Sequence, residues 1–399
     1  MHSRRSNHVG WPAAIARTAG FVTGLLIAIG LLFPKWGVAD DALTRVTFTG
    51  ADKETRTVSG KILVEAVDRG ILVLGRDGRL WNITPKQLQS REESGQNFKP
   101  FSSEELGQRL KAEFGDEFEI VTTKHYVICT SAGKKYAQWC GALFERLMSK
   151  FLTHWRTKNL GLREPPAPLT AIVFANERQF ADFAAKDAGA DATDAKGYYS
   201  IRTNRIVLYD LTADGDSRLA STIADINWKV EASLFNVATV VHEATHQIAF
   251  NTGLHTRYAD NPLWLTEGMA LYFETPDLKS RTGWKTVGKV NRSRLRQFQD
   301  SVRNRRKSDS LSTLLADNQR FSDAKRIEDA YAEAWAFTYF LIKTKRRRYV
   351  AYLQHISQKP QLNWDTPEER LTEFKAVFGG NLGKLDRQFL RFMRRLRQR

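Results

Sequence analysis

Cysteine is almost absent from the sequence, with only Cys129 and Cys140 among 399 residues. So few thiols exclude a scaffold held together by several disulfides, and they exclude a zinc site built from cysteine ligands. Cys129 lies in a predicted strand and Cys140 in a predicted helix a short distance along the chain. The sequence leaves open whether the two form one disulfide or remain buried thiols.

No apolar run is long enough for an ordinary transmembrane helix, which needs about 20 residues. The run GFVTGLLIAIGLLF at 20–33 follows two arginines and precedes small residues that end at Ala39, which is typical of a secretory signal peptide. We expect residues 1–39 to be a signal peptide cleaved after Ala39, and the mature chain to be exported to the periplasm, the cell surface or the medium. The alternative is that the run is retained as a membrane anchor.

Acidic residues are too few to balance the basic ones, and 44 Asp and Glu against 61 Lys and Arg give a formal net charge of +17. The excess is concentrated in 281–307, in KTKRRR at 343–348 and in the tail 384–399. This charge is compatible with an anionic envelope polymer bound through the basic C-terminal region, although solvated helix faces are the simpler interpretation. Nucleic acid is disfavoured, because export is expected and no aromatic residues alternate with the basic ones.

The order of apolar patterns divides the chain into an all-β part and a mixed part. Alternating β-branched segments separated by turn signals predict a small all-β, SH3-like module over 40–90, followed by a polar linker over 91–115. Strand and helix patterns then alternate before giving way to helices, which predicts an α+β domain over 116–355. Residues 356–399 are expected to form a basic helical C-terminal segment.

The stretch VVHEATHQIAF at 240–250 carries the clearest chemical signal. Residues four apart share one face of a helix, so the imidazoles of His242 and His246 can both reach one Zn²⁺ ion. Glu243 lies about 100° around the helix, close enough to act on a water molecule beside the ion without being a ligand. The alternative is a buried helix in which the two histidines serve packing alone.

A second stretch, NPLWLTEGMALYFE at 261–274, offers a third ligand. A catalytic zinc needs three protein ligands and one open position, and Glu267 would complete a site with the two histidines. The alternative makes Glu267 a first-turn partner of the helix dipole, with Thr266 as the helix cap. Gly268 is expected to permit close packing of this helix against the helix that carries the histidines.

HEATH followed by WLTEGMALYFE resembles the gluzincin metallopeptidases, and in particular the peptidase MA-like domain of exported bacterial proteins. The resemblance covers roughly residues 117–341 and implies a thermolysin-like domain, in which a mixed sheet is followed by helices. It implies one Zn²⁺ per chain, with Glu243 as the catalytic base. The metal ligands that it implies are His242, His246 and Glu267. It also implies a sheet whose edge strand pairs with an extended peptide, and the hairpin at 197–210 matches that strand.

Departures from the family pattern narrow the expected activity. The sequence lacks the Gly-x-Met-Glu-Asn stretch that holds a free substrate amine in aminopeptidase N, and GALFERL at 141–147 is no substitute. This favours endopeptidase action. Thermolysin places an aspartate four residues after its third ligand to steady a histidine, but Leu271 stands there in this chain. We predict that Glu274 serves instead.

The reaction also needs a donor for the oxyanion, which related enzymes take from a Tyr or His on a later helix. Tyr331, at the start of DAYAEAWAFTYFL, is the catalytic candidate, and its alternative role is packing among neighbouring aromatic side chains. His255 and Tyr258, which precede Glu267, are weaker candidates.

The leading hypothesis is therefore an exported zinc metallopeptidase that acts on peptide or protein substrates. An alternative keeps the zinc without turnover and makes the protein a binding or structural component of the cell envelope. Glu243 disfavours that alternative, because a purely structural zinc has no use for a base beside it. A binder of nucleic acid or of anionic polymers is the third hypothesis.

Overall fold

The structure is a computed structural model, and it describes residues 41–158, 160–212, 222–232, 234–275 and 287–396. The predicted signal peptide lies outside these ranges. Within them, no helix is both long and apolar enough to cross a membrane.

An antiparallel sheet occupies the N-terminal part of the described chain. Its strands, in the order β4-β3-β2-β1-β5, are β1 (Ala42–Thr49), β2 (Thr55–Glu65), β3 (Ile71–Gly75), β4 (Leu80–Ile83) and β5 (Leu88–Asn97). Alternating apolar residues build its small core, which includes Val46, Phe48, Ile71 and Val73. The all-β character of this part is thus confirmed, while the SH3-like barrel stays a prediction.

Regular structure fills most of the range predicted as a linker, 91–115. Strand β5 is exposed at every position but its first, so it lacks the apolar alternation by which a sequence predicts a strand. Helix α1 (Ser103–Phe114) begins with a capping box, in which the side chains of Ser102 and Glu105 each accept a hydrogen bond from the other residue's backbone N–H. That Ser-x-x-Glu signal could have predicted the helix.

A second, mixed sheet follows. Its strands, in the order β6-β7-β8-β10-β9, are β6 (Glu119–Thr122), β7 (Tyr126–Thr130), β8 (Leu169–Phe174), β9 (Gly197–Ser200) and β10 (Arg205–Tyr209). The parallel strands β7, β8 and β10 are buried throughout, as expected for strands covered on both faces. The predicted hairpin is confirmed, and it places β9 at the edge of the sheet.

Helices make up most of the remaining described chain. They are α2 (Lys134–Arg156), α3 (Glu177–Asp187), α4 (Ile223–Ala232), α5 (Leu234–Asn251), α6 (Leu263–Phe273), α7 (Arg292–Asn304), α8 (Ser310–Ala316), α9 (Ile327–Thr344), α10 (Arg346–Ser357), α11 (Pro367–Phe378) and α12 (Leu382–Arg395). The protein is therefore a mixed α/β structure with an N-terminal antiparallel sheet and C-terminal helices. Residue 355, the predicted end of the main domain, lies inside α10. Phe374 and Phe389 from the last two helices pack against Trp264 and Phe337, so these helices share the main core.

The structure also decides between the two roles left open for the cysteines. Cys129 in β7 and Cys140 in α2 are free thiols, and both are buried. Burial raises the pKa of Cys129 to about 12, so almost none of it is thiolate at neutral pH. Both cysteines therefore act as small apolar core residues.

Candidate metal centre

Helix α5, which carries HEATH near its middle, is fixed to the mixed sheet by a polar side chain. Gln247 Nε2 donates to the backbone oxygens of Thr170 at 2.9 Å and Asn204 at 2.7 Å. These bonds tie α5 to β8 and to the turn of the β9–β10 hairpin. All but one of the side chains at 237–249 are buried, so the helix has no solvent-facing polar side at this point.

Three side chains from α5 and α6 bring their donor atoms together. His242 Nε2 lies 3.1 Å from His246 Nε2 and 3.1 Å from Glu267 Oε2, and His246 Nε2 lies 3.5 Å from the same carboxylate oxygen. Ligand atoms at about 2.0–2.1 Å around a tetrahedral ion would be roughly 3.3 Å apart. All three residues are buried. This buried cluster has the composition and spacing to hold one metal ion.

The protonation of His242 supports the same conclusion. Its Nδ1 lies 3.2 Å from Glu274 Oε2, and since an ionised carboxylate only accepts, Nδ1 is the donor. When His242 is neutral, its Nε2 therefore has a free lone pair, which faces His246 Nε2 and Glu267 Oε2. Buried lone pairs that converge in this way repel one another unless a proton or a metal ion lies among them, so this position attracts a cation. Glu267 Oε1 is also buried and without a hydrogen-bond partner among the described residues.

The electrostatics of the cluster favour a cation. Burial lowers the pKa of His242, but its hydrogen bonds with Glu267 and Glu274 outweigh burial and raise that pKa to about 10. Burial likewise opposes ionisation of Glu267, but His246 and His242 hold its pKa at about 2. The site therefore surrounds its imidazoles with negative charge, which a bound cation would neutralise.

Glu274 has the position predicted for the group that steadies a ligand histidine. It lies at the C-terminal cap of α6, two turns after Glu267, and contacts His242 Nδ1. Its other oxygen, Oε1, accepts a hydrogen bond from Asn291 Nδ2 at 2.6 Å. Asn291 was not predicted, because it lies 17 residues beyond Glu274 and precedes a different helix.

Removal of the Glu274 carboxylate should weaken metal binding, since outer partners of ligand histidines typically contribute 10–100-fold to affinity. We expect Glu274→Leu to reduce affinity by about that factor and Glu274→Gln, whose amide oxygen still accepts from Nδ1, to reduce it less. Competition with a chromogenic chelator measures both. An affinity of Glu274→Leu within twofold of wild type would contradict this role.

Glu243 faces the edge strand of the sheet. Its Oε2 accepts a hydrogen bond from the backbone N–H of Tyr199 in β9 at 2.8 Å. Burial raises the pKa of Glu243, and the nearby His242 and His246 oppose that rise. The carboxylate is thus held beside the ligand cluster and next to the sheet edge, in a fixed orientation.

Tyr331 lies in α9, which packs against α6. Burial raises its pKa well above the usual value, and the charges of Glu267 and then Glu243 raise it further. Its hydroxyl is therefore within electrostatic reach of both carboxylates and stays protonated at neutral pH. The ring also packs edge-on against Phe321, with centroids 5.4 Å apart, so it serves in packing as well.

The weaker candidates occupy different environments. His255 is buried, and neither of its ring nitrogens has a hydrogen-bond partner in the described part of the chain. Burial, with a contribution from His246, lowers the pKa of His255 to about 3, so its ring is neutral. Tyr258 lines a cavity beside His246.

The start of α6 corrects two predictions. The helix begins at Leu263, so Thr266 lies inside its first turn and donates to Leu263 O at 3.2 Å instead of capping it. A side chain from elsewhere, Asn318, accepts from Leu263 N–H at 3.1 Å. Gly268 does permit a close approach, but to α9 and not to α5. Adjacent residues differ by about 100° around a helix, so Glu267 and Gly268 cannot face the same neighbour.

Gly268 should tolerate no larger residue. A Cβ there would lie 2.7 Å from the backbone oxygen of Ala334 and 2.2 Å from Thr338 Oγ1. We expect Gly268→Ala to lower the free energy of unfolding by about 1–3 kcal/mol, measured by denaturant unfolding. Gly380→Ala is the matched control, because nothing lies within 4 Å of a Cβ there. Equal stability of the two variants would refute the close packing.

A cavity opens on one side of the metal site. His246 lines it together with Tyr199, Phe250 and Thr266. The N-terminal sheet contributes Asn82 to the same cavity.

Comparison with known families gives one match within the chain. Residues 236–363 match a family described as a protein of unknown function (DUF1570). The matched range contains the three cluster residues, Glu243 and Tyr331. It begins within α5 and ends after α10, so it does not include either sheet. No curated protein matches the chain.

Proposed function

We propose that the protein is an exported zinc-dependent metallopeptidase of the gluzincin type, and that it acts as an endopeptidase. One observation carries the proposal: the buried His242, His246 and Glu267 cluster lies beside a buried carboxylate, Glu243, that touches the edge of a sheet. Ligands, base and a surface for an extended peptide are therefore adjacent.

Zinc is the metal that fits this donor set best. Two imidazole nitrogens and one carboxylate oxygen at tetrahedral spacing match a catalytic zinc site, which keeps its fourth position for water or substrate. Calcium and magnesium prefer six or more oxygen ligands, which this site does not offer. The adjacent cavity gives a substrate access to His246.

Glu243 is the proposed acid and base. When bound, the ion would polarise the scissile carbonyl and lower the pKa of a water molecule. Glu243 accepts the proton of that water as the water attacks the carbonyl carbon, and then delivers it to the leaving nitrogen as the C–N bond breaks. The Tyr199 N–H holds Oε2, which leaves Oε1 for the water.

Strand β9 is the proposed binding edge for the substrate. An extended peptide could add to this edge as a further strand through backbone hydrogen bonds, which requires no particular sequence. Endopeptidase action is supported by the missing amine-binding motif. Glu145, the acidic residue of GALFERL, instead binds Thr123 and His125 at 2.7 Å each.

Tyr331 is the proposed oxyanion donor, and its removal should slow the reaction without loss of the metal. We expect Tyr331→Phe to lower kcat about 10²–10³-fold, as is typical for one oxyanion donor. Tyr339→Phe, two turns along the same helix, is the control and should retain wild-type kcat. If Tyr331→Phe were fully active, the packing role of its ring would be its only role.

Digestion of an untargeted peptide library by wild type and by Glu243→Gln, with metal quantified in both, tests the proposed function. We expect cleavage of internal bonds by wild type only, and equal cleavage of N-terminally acetylated peptides. Cleavage restricted to free N-termini would overturn the endopeptidase assignment. If both proteins were metal-loaded and equally inactive, the catalytically silent envelope protein would replace the peptidase.

Export and anionic partners belong to the same proposal. The net charge of +17 supports attraction to an acidic envelope polymer, and much of that charge lies in the C-terminal helices. Nucleic acid remains disfavoured for the reasons given by the sequence.

A further inference from the structure

We propose that the cavity beside His246 binds a large aromatic or apolar side chain of the substrate, and that Tyr258 and Trp364 determine this specificity. The inference rests on the proposed function for the identity of the ligand, a peptide. It concerns binding, however, and can be tested in a protein that does not cleave.

The cavity is continuous with the candidate metal site. This position indicates that its occupant is part of the substrate. His246 belongs to both, and Tyr199, whose N–H contacts Glu243, lines the cavity as well. A peptide paired with β9 would therefore place one of its side chains in this space. The occupant is part of the substrate and not a separate ligand.

Two loops that are distant in sequence are joined at the cavity. The loop between α5 and α6 carries Tyr258, and the loop between α10 and α11 carries Trp364. Leu362 N–H donates to Tyr258 O at 2.6 Å, and Gln361 Nε2 donates to the backbone oxygen of Arg257 at 2.8 Å. These bonds fix the two loops, and with them Tyr258 and Trp364, relative to each other.

Each of the two joined loops contains one residue with a strained backbone. Tyr258 has φ 61° and Leu362 has φ 60°, in the left-handed region that residues with a Cβ rarely adopt. Such residues persist only where the surrounding structure fixes them, and they are concentrated at binding and catalytic sites. Glycine or asparagine would adopt this backbone more easily than the tyrosine at 258. Because the ring of Tyr258 also lines the cavity, the strain at this position points to a binding role for the ring.

Trp364 is half exposed although it lines a cavity, with 51% of its surface accessible. An indole left in contact with water can gain apolar contact area when a ligand covers it. A second aromatic ring from a substrate would provide that cover and could stack against Trp364 or Tyr258.

The charged residues that line the cavity disfavour a charged substrate side chain, because they are already paired with each other. Arg370 is paired with the carboxylate of Asp260, with Nε 3.0 Å from Oδ2. Arg202 is paired with Asp187 at 2.6 Å. A charged substrate side chain would find these partners already taken and would lose its own hydration. An apolar or aromatic side chain meets neither penalty.

Binding of capped peptides to the zinc-loaded Glu243→Gln protein tests the proposal. The probes are Ac-Ala-Ala-Xaa-Ala-Ala-NH₂ peptides with Phe, Leu, Asp or Lys as Xaa, and calorimetry measures their affinities. We expect the Phe and Leu peptides to bind at least about tenfold more tightly than the Asp and Lys peptides. Adding Trp364→Ala or Tyr258→Gly should remove most of that preference, while Trp228→Ala should not. Trp228 is exposed like Trp364 but does not line the cavity.

Thermal unfolding separates a binding role from a structural one. Tyr258→Gly relieves the left-handed backbone but increases the conformational freedom of the unfolded chain. The two effects oppose each other, so its Tm should change by no more than a few degrees even though the preference is lost. Equal affinity for all four peptides, or no binding of any of them, would overturn the inference. An unchanged preference in the Trp364→Ala protein would also overturn it. This variant leaves the strained positions Tyr258 and Leu362 unaltered, so a change in backbone strain cannot explain its result. A clear Phe preference with no hydrolysis by wild type would leave the inference standing and refute the peptidase.

Discussion

Replacement of Glu243 by glutamine is expected to lower kcat for peptide hydrolysis by about 10³–10⁴-fold, with metal content and fold unchanged. The amide cannot accept a proton from water, and general bases contribute about 10²–10⁴-fold. The upper end applies because the same group must also protonate the leaving nitrogen. The Tyr199 N–H can still donate to the amide oxygen, so the side chain should keep its place. Fluorogenic peptide kinetics and mass-spectrometric metal analysis measure the two effects.

Glu145→Gln is the matched control for this substitution. Glu145 lies in α2 and binds His125 and Thr123, so the proposed mechanism gives it no part in the reaction. Its variant should retain wild-type kcat. A Glu243→Gln protein that hydrolysed peptides at the wild-type rate would show that the reaction uses another base.

Removal of any one ligand should deplete the protein of metal. His242→Ala, His246→Ala and Glu267→Ala each leave a buried site with two donors, and we expect metal content to fall from about one ion per chain to a small fraction. Hydrolysis should disappear with the metal. The wild type should also lose stability on chelation, by about 4 kcal/mol if the free ion had been present at 1,000 times its Kd.

His255→Ala provides the control for the histidine variants. His255 is as buried as the proposed ligands, but it does not belong to their cluster. Its removal should therefore leave metal content intact. Full metal retention by all three ligand variants would mean that the ion, if any, binds elsewhere.

The sequence predicts the parts of this site that follow from helical periodicity. His242 and His246 fall on one face because they are four apart, and Glu274 reaches His242 because it lies two turns after Glu267 on the same helix. The glycine at 268 correctly predicts a close contact, but spacing along one helix does not indicate that the neighbour is α9.

Contacts between distant segments were not predictable in the same way. Asn291 reaches Glu274 from beyond α6, and Tyr258 meets Leu362 through a backbone hydrogen bond, which carries no signal in the sequence. The sequence does not predict strand β5, because an edge strand that is exposed at all but its first position carries no apolar pattern. The cavity depends on such long-range pairings, so it could be found only in the folded structure.

X-ray absorption at the zinc edge, recorded on purified wild type and on the His246→Ala protein, tests the central claim most directly. For wild type we predict two imidazole nitrogens with oxygen ligands, all at about 2.0–2.1 Å, and no sulfur. In the variant this pattern should be lost along with most of the zinc. A shell of six oxygens, a sulfur ligand, or an identical spectrum at full occupancy in both proteins would contradict a zinc site formed by His242, His246 and Glu267.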